Sequence, residues 1–171
     1  MNFFYFPYKE KSLEGVFGLG IRTRNLSIKY NVALSSIYDY IYPAMNCFDG
    51  KQSTFCHSSA SLNSQEYLQI HFPDDKFKIE GFAIKNRHEG YWDPLNYVIQ
   101  GSNDGINFTV LGSFNEISSE VCIPGAIRTR RISTNLWFSY FRLRTTEKAC
   151  YWNESFTYNK YLFNMAEFDL F

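Results

Sequence analysis

The chain has 171 residues, 45% of them hydrophobic, which suits one compact domain with a sizeable core. Lys plus Arg and Asp plus Glu both number 17, so the formal net charge is zero and no global field draws the molecule to nucleic acid or to an anionic membrane. No window approaches the roughly 18 to 20 apolar residues of a membrane span, so binding has to come from a local site.

The opening stretch MNFFYFPYKEKSLEG is aromatic but has neither a basic leader nor an uninterrupted apolar segment before a cleavage site. It does not read as a signal peptide, and the expected setting is the cytoplasm. The next stretch, GVFGLGIRTRNLSIKYNVALSSI (Gly15 to Ile37), is expected to supply the first strands. Further along, Tyr67–Phe72, Phe77–Ile84, Asn96–Gln100, Phe108–Leu111 and Phe138–Arg144 alternate or are rich in aromatic and β-branched residues, as half-buried strands are. Turn-forming clusters separate them at Phe72–Asp75, Glu89-Gly90, Asn103–Gly105 and Pro124-Gly125. Asp104-Gly105 is expected to supply the positive backbone dihedrals of a tight hairpin between two of these strands. The pattern predicts an all-β antiparallel sandwich formed by a single domain over 1–171, with N-terminal strands in 1–45 and a motif-bearing core in 46–171.

Four cysteines, Cys47, Cys56, Cys122 and Cys150, match no zinc-clamp spacing. In a reducing cytoplasm they are expected as free thiols, although Cys47 and Cys56 flank one turn. The sequons at Asn25, Asn107 and Asn153 carry weight only for a secreted chain. His57, His71 and His88 show no paired-ligand spacing, and no nucleophile elbow, phosphate loop or dinucleotide fingerprint is present. The residues thus predict no enzyme and no cofactor.

Six ordered segments carry a family resemblance. They are Asn46–Gly50 with Ser53–Phe55, Glu66–Phe72, Phe77–Phe82, Tyr97–Gly105 with Asn107-Phe108, Phe141–Arg144 and Ala166–Phe171. Together they resemble the discoidin domain, also called the coagulation-factor type C domain, with wording most similar to its intracellular protist members. The resemblance implies a galactose-binding-like jelly roll of about eight core strands, a non-catalytic binding module whose loops at one end meet the ligand.

Sugar-binding relatives carry a histidine and an arginine that donate to a sugar hydroxyl, and His57 and Arg87 match those positions. The third member, an asparagine-glycine pair, is replaced by Gly90–Pro94. The same two residues also have bland roles open to them: His57 capping a turn, and Arg87 paired with Glu89 or Asp93. The resemblance further implies a calcium site that Asp49, Thr54 and Glu167 match, but Lys51 stands where a second aspartate belongs. The site is therefore expected to be degenerate, with no metal and the Lys51 ammonium standing in for the ion.

Tyr91, Trp92, Tyr151 and Trp152 are placed in loops, where rigid aromatics anchor sugars or protein interfaces. Arg87, His88, Glu89 and Asp93 make the same end too polar for membrane insertion. The run Arg128–Arg131 reads as a solvated strand or loop and not as a nucleic-acid site. The expected ligand face thus comprises His57, Arg87, His88, Tyr91, Trp92, Tyr151 and Trp152. Its expected partner is a protein in a larger assembly, with the cytoskeleton or cilium as the setting suggested by stand-alone relatives. The alternative is a lectin-like carbohydrate-binding module.

Overall fold

The computed structural model describes residues 2–4, 6–23, 26–51, 53–59, 65–88, 93–117, 122–147, 149, 162 and 164–171, with backbone alone for 2–4. Among these residues the chain forms twelve strands. They are β1 (Asn2–Phe4), β2 (Asn31–Leu34), β3 (Cys56–His57), β4 (Tyr67–His71), β5 (Asp75–Phe77) and β6 (Gly81–Lys85). The rest are β7 (Asn96–Ser102), β8 (Thr109–Asn115), β9 (Ile127–Arg131), β10 (Tyr140–Thr145), β11 (Asn164–Met165) and β12 (Glu167–Leu170).

The larger sheet has the order β2-β4-β10-β7-β8 with every neighbour antiparallel. The smaller has the order β12-β6-β9, also antiparallel. Strands β11 and β3 form a two-stranded ribbon, and β1 pairs with β5 in parallel. This is the expected β-sandwich. Alternation along the sequence sets its core: Leu68 and Ile70 of β4 and Phe141 and Leu143 of β10 are buried, while their neighbours Tyr67, Gln69, Arg142 and Arg144 are only partly so. Phenylalanines fill the space between the sheets, with Phe72 against Phe77 and Phe141, and Phe82 against Phe168 and Phe114.

Three local expectations change. The stretch Phe77–Ile84 is two strands, because the chain turns at 78–80 to carry Glu80 N–H to the carbonyl of Phe171. Residues Val16–Thr23 form a π-helical turn, with strand β2 beginning only at Asn31. The carboxylate of Asp169 explains that turn, since it accepts the backbone N–H groups of Gly15, Phe17 and Gly18 at 2.9–3.0 Å from the far end of the chain. Donors that a strand would have left for a neighbour are satisfied there instead.

The hairpin between β7 and β8 is present, but its loop covers six residues, 103–108. Only Gly105 has a positive φ, +72°. Asp104 organises the loop by accepting the N–H groups of Ile106 and Asn107 and the Asn107 amide, and these donors hold its carboxyl well below the usual range. A carboxylate bonded to four donors, the Ser102 hydroxyl being the fourth, replaces the tight primed turn.

The basic run also has internal work. Arg128 of β9 is buried and bonds Asn86 Oδ1 at 3.0 Å and the Pro94 carbonyl at 3.1 Å, Arg130 forks onto Glu116, and Arg131 lies over the ring of Tyr8.

Candidate ligand face at one end of the sandwich

Register places the loops of interest together. Leu34 pairs with Leu68, Arg144 with Tyr67 and Val98, and Asn115 with Asn96, so loop 35–55, the segment after β6 and the segment before β7 lie at the end opposite the 103–108 hairpin.

Loop 35–55 is braced along its length. Ser35 and Ser36 hydroxyls donate to the buried carboxylate of Glu66, and Ser59 N–H donates back to Ser36 Oγ. Tyr38 N–H reaches the His57 carbonyl at 3.0 Å, and His57 N–H reaches the Tyr42 carbonyl at 3.2 Å. The Asn46 amide donates to both Ile41 and Phe55 carbonyls at 3.1 Å.

A disulfide joins Cys47 to Cys56, with Cα atoms 5.3 Å apart, and Cys122 is also disulfide-bonded. This corrects the expectation of free thiols. The short 3-10 turn Ala44–Cys47 and the start of β3 are brought back to back, and both cysteines are completely buried at that crossing. Such a separation is within the range a disulfide needs.

On this brace stands an aromatic cluster that the sequence reading missed. Tyr42 stacks on Phe55 at 4.4 Å, and the Arg87 guanidinium lies 3.8 Å over the other partner of that pair, Phe55. Tyr38 packs on His57 at 4.7 Å. Tyr38 is 63% exposed and Tyr40 is 88% exposed, with Ile37, Ile41 and Met45 beside them in sequence and also exposed. Among the described residues, half of the ten exposed large hydrophobic side chains thus come from nine consecutive residues, a concentration that marks a contact surface and not scattered surface noise. The spacing Tyr38-x-Tyr40-x-Tyr42, in a loop and not in a strand, was the signal available in the sequence.

The candidate residues named from sequence fare differently. Arg87 lies over Phe55, His57 packs on Tyr38, and the two are near enough for the Arg87 charge to act on the imidazole. His57 is not an open donor, however. It is 9% exposed, its Nδ1 meets the Ser58 carbonyl at 2.5 Å, and burial pushes its pKa below the ordinary histidine value. The ring is neutral near pH 7 and supports Tyr38 from beneath. His88 is exposed at the rim. Tyr91, Trp92, Tyr151 and Trp152 lie outside the described residues. Behind the face, Asp93 is fully buried with no well-aligned hydrogen bond to either carboxylate oxygen among the described residues, and burial pushes its pKa up to about 7 against the pull of Arg128 and of the Arg87 N–H and guanidinium.

The three residues matching a calcium site do converge, but not around room for an ion. Asp49 spends both oxygens on the Thr54 hydroxyl, at 2.8–2.9 Å, and one on Lys51 N–H at 2.8 Å. Arg22 Nη1 donates at 3.1 Å both to Glu167 Oε2 and to the Phe48 carbonyl. Glu167 is 2% exposed, and burial pushes its pKa up to about 7 even against Arg22. Lys51 is exposed and meets Asp49 through its backbone, so the expectation that its ammonium replaces the ion fails for want of burial. Among the described residues no group of three or more His, Cys, Asp or Glu is placed to hold a metal.

The fold is thus a β-sandwich that carries a braced aromatic loop at one end. The F5/8 type C domain model matches residues 31–162, and the chain belongs to that family. Solved structures with the same fold include a CBM32 module of a Clostridium perfringens family 31 glycoside hydrolase, 19% identical with a TM-score of 0.65, covering 82% of this chain and 90% of that one. Another is the C. perfringens CBM32 module in complex with GalNAc-β-1,3-galactose, at 17% identity and TM-score 0.62, covering 83% and 94%. A third is chitosan-binding module 2 from a Paenibacillus sp. IK-5 chitosanase/glucanase, in complex with chitotriose, at 19% and 0.58, covering 85% and 98%. No curated protein matches the chain by sequence.

Proposed function

We propose that this domain is a carbohydrate-binding module whose ligand face is formed by Tyr38, Tyr40, Phe55 and Arg87. The observation that carries this reading is the exposure of Tyr38 and Tyr40 on a hydrogen-bonded loop beside the Arg87–Phe55 stack. Flat aromatic rings offer a sugar's C–H face a large, stiff contact at low entropic cost, with a phenol or guanidinium at the edge for its hydroxyls. A brace that holds the rings in place before binding reduces the ordering cost of association. Two similar folds hold glycans in their structures, which supports the same reading. His57 positions Tyr38 and does not itself donate to the sugar.

A protein partner is the second reading, favoured by Ile37, Ile41 and Met45, whose exposed apolar surface a sugar would not cover. The disulfide favours an oxidising compartment over the cytoplasm.

Calorimetric titration with GalNAc-β-1,3-galactose and chitotriose, followed by a wider glycan array, tests the proposal. Saturable binding that falls at least about tenfold in both Tyr40→Ala and Arg87→Ala, roughly 1.4 kcal/mol each, is the expected result. No saturable glycan, or a glycan whose affinity neither change alters, would remove the carbohydrate reading.

A further inference from the structure

We infer that Arg22 is a built-in replacement for a structural calcium ion, making this domain's ligand loop independent of calcium. Calcium takes six to eight oxygens. Here the oxygens in question already have partners: the Phe48 carbonyl and Glu167 Oε2 accept from Arg22, and Asp49 is committed to Thr54 and Lys51. Glu167 Oε1 is buried with no well-aligned hydrogen bond among the described residues, and the Gly50 N–H is the backbone donor that acts on this carboxylate. A cation entering this corner would have to displace the guanidinium.

The fit of the guanidinium is structural as well as electrostatic. Gly50 has φ +75°, and a Cβ built there would lie 2.9 Å from Arg22 Cδ and 3.2 Å from Cζ. Glycine at that position therefore makes room for the arginine while turning the loop. The ion pair is asymmetric in exposure, with the Arg22 side chain 28% exposed and the Glu167 side chain 2%. One guanidinium nitrogen, Nη1, donates to both the Phe48 carbonyl and Glu167, so a permanently charged group held by the chain does what a bound divalent ion would do: it ties the first loop to the last strand, β12. Unlike an ion, it cannot dissociate. The tied loop runs 48–55 and ends on Phe55, so the tether bears directly on the ligand face.

Arg22 itself lies in the π-helical turn, whose backbone is anchored by Asp169 of the same strand β12 that supplies Glu167. One strand thus positions both the arginine's segment and its partner. Lys51, the residue that breaks the family pattern in sequence, is left on the surface.

Thermal melts of the wild-type domain in millimolar calcium chloride and in EGTA should agree within about 1 °C, because no site is open for the ion to stabilise. Arg22→Ala should lower Tm by about 5–10 °C, since it leaves Glu167 buried and unpaired. In a Glu167→Gln background the same change should cost less than half as much, as contact pairs couple. If Arg22→Ala does not accumulate as folded protein, Arg22→Lys serves: it keeps a cation but is shorter and lacks the rigid guanidinium plane that aims Nη1 at both acceptors, and should melt a few degrees low. A calcium-dependent rise of several degrees in the wild type would overturn the inference. So would an Arg22→Ala or Arg22→Lys variant that melts with the wild type, or an Arg22→Ala loss undiminished by Glu167→Gln.

Discussion

The disulfide loop between Cys47 and Cys56, nine positions apart in sequence, has two walls that differ in kind. One wall, at Phe48, Asp49 and Gly50, is closed: its carbonyl and carboxylate groups are met by Arg22, Thr54 and Lys51. The other, at Phe55, continues into an open surface of Arg87, Tyr38 and Tyr40. Polar groups that find every partner inside the chain stabilise it and recognise nothing. Rigid aromatic surface left in water costs hydrophobic free energy, which a ligand can recover. Residues on the closed wall should therefore govern stability, and residues on the open wall affinity.

Removing the disulfide attacks the element the two walls share, and is the most destabilising of the changes considered for them. Closing a loop of this size is worth about 3 kcal/mol in chain entropy. Cys47→Ser/Cys56→Ser should lower Tm by roughly 6–12 °C for a domain of this size and weaken glycan binding as well. A calorimetric scan and a titration of the same sample would report both. Intact binding at full affinity would mean that the brace does not depend on the covalent link.

Asp93 sharpens the contrast, because it is buried behind the open wall yet its carboxylate has no well-aligned hydrogen bond among the described residues. Its folded pKa, about 7, is above the ordinary value of 3.8. A raised carboxyl contributes its full stability below about pH 4 and loses it as pH rises through 7. Asp93→Asn should flatten this slope and stabilise the domain at pH 8, by up to about 4 kcal/mol. Urea unfolding at pH 5 and pH 8 measures the difference between variant and wild type. A slope unchanged by the substitution would mean that Arg128 holds the carboxylate ionised.

Gly50→Ala tests the closed wall by itself. Strain at positive φ costs roughly 1–2 kcal/mol, and the new methyl meets Arg22. Tm should fall by about 2–8 °C with glycan affinity changed less than threefold. The smallest stability effect belongs to Tyr40→Ala on the open wall. At 88% exposure the ring contributes little to folding, so Tm should stay within about 2 °C while affinity falls about tenfold or more. A Tyr40 variant that melts early but binds normally would reverse the assignment of the walls.

The sequence by itself determined the fold class and most of the strands, because each half-buried strand carries its own alternation: Leu68 and Ile70 against Tyr67 and Gln69 needs no distant partner to be legible. Family wording also singled out His57 and Arg87 as candidates, and the fold brings the two near one another. Only the tertiary structure decided what those residues do. Arg22, Glu167 and the Phe48 carbonyl are separated by up to 145 positions in the chain, so a cation made of one side chain has no local signature. Asp169 likewise turns an apparent strand at Val16–Thr23 into a helical turn from the other terminus. Whether Tyr38 and Tyr40 face water or fill a core is a property of what packs over them, and in a chain with 17 phenylalanines and 13 tyrosines composition cannot tell the two apart. Alternation is a property of the chain, whereas burial and charge pairing belong to the packed sandwich.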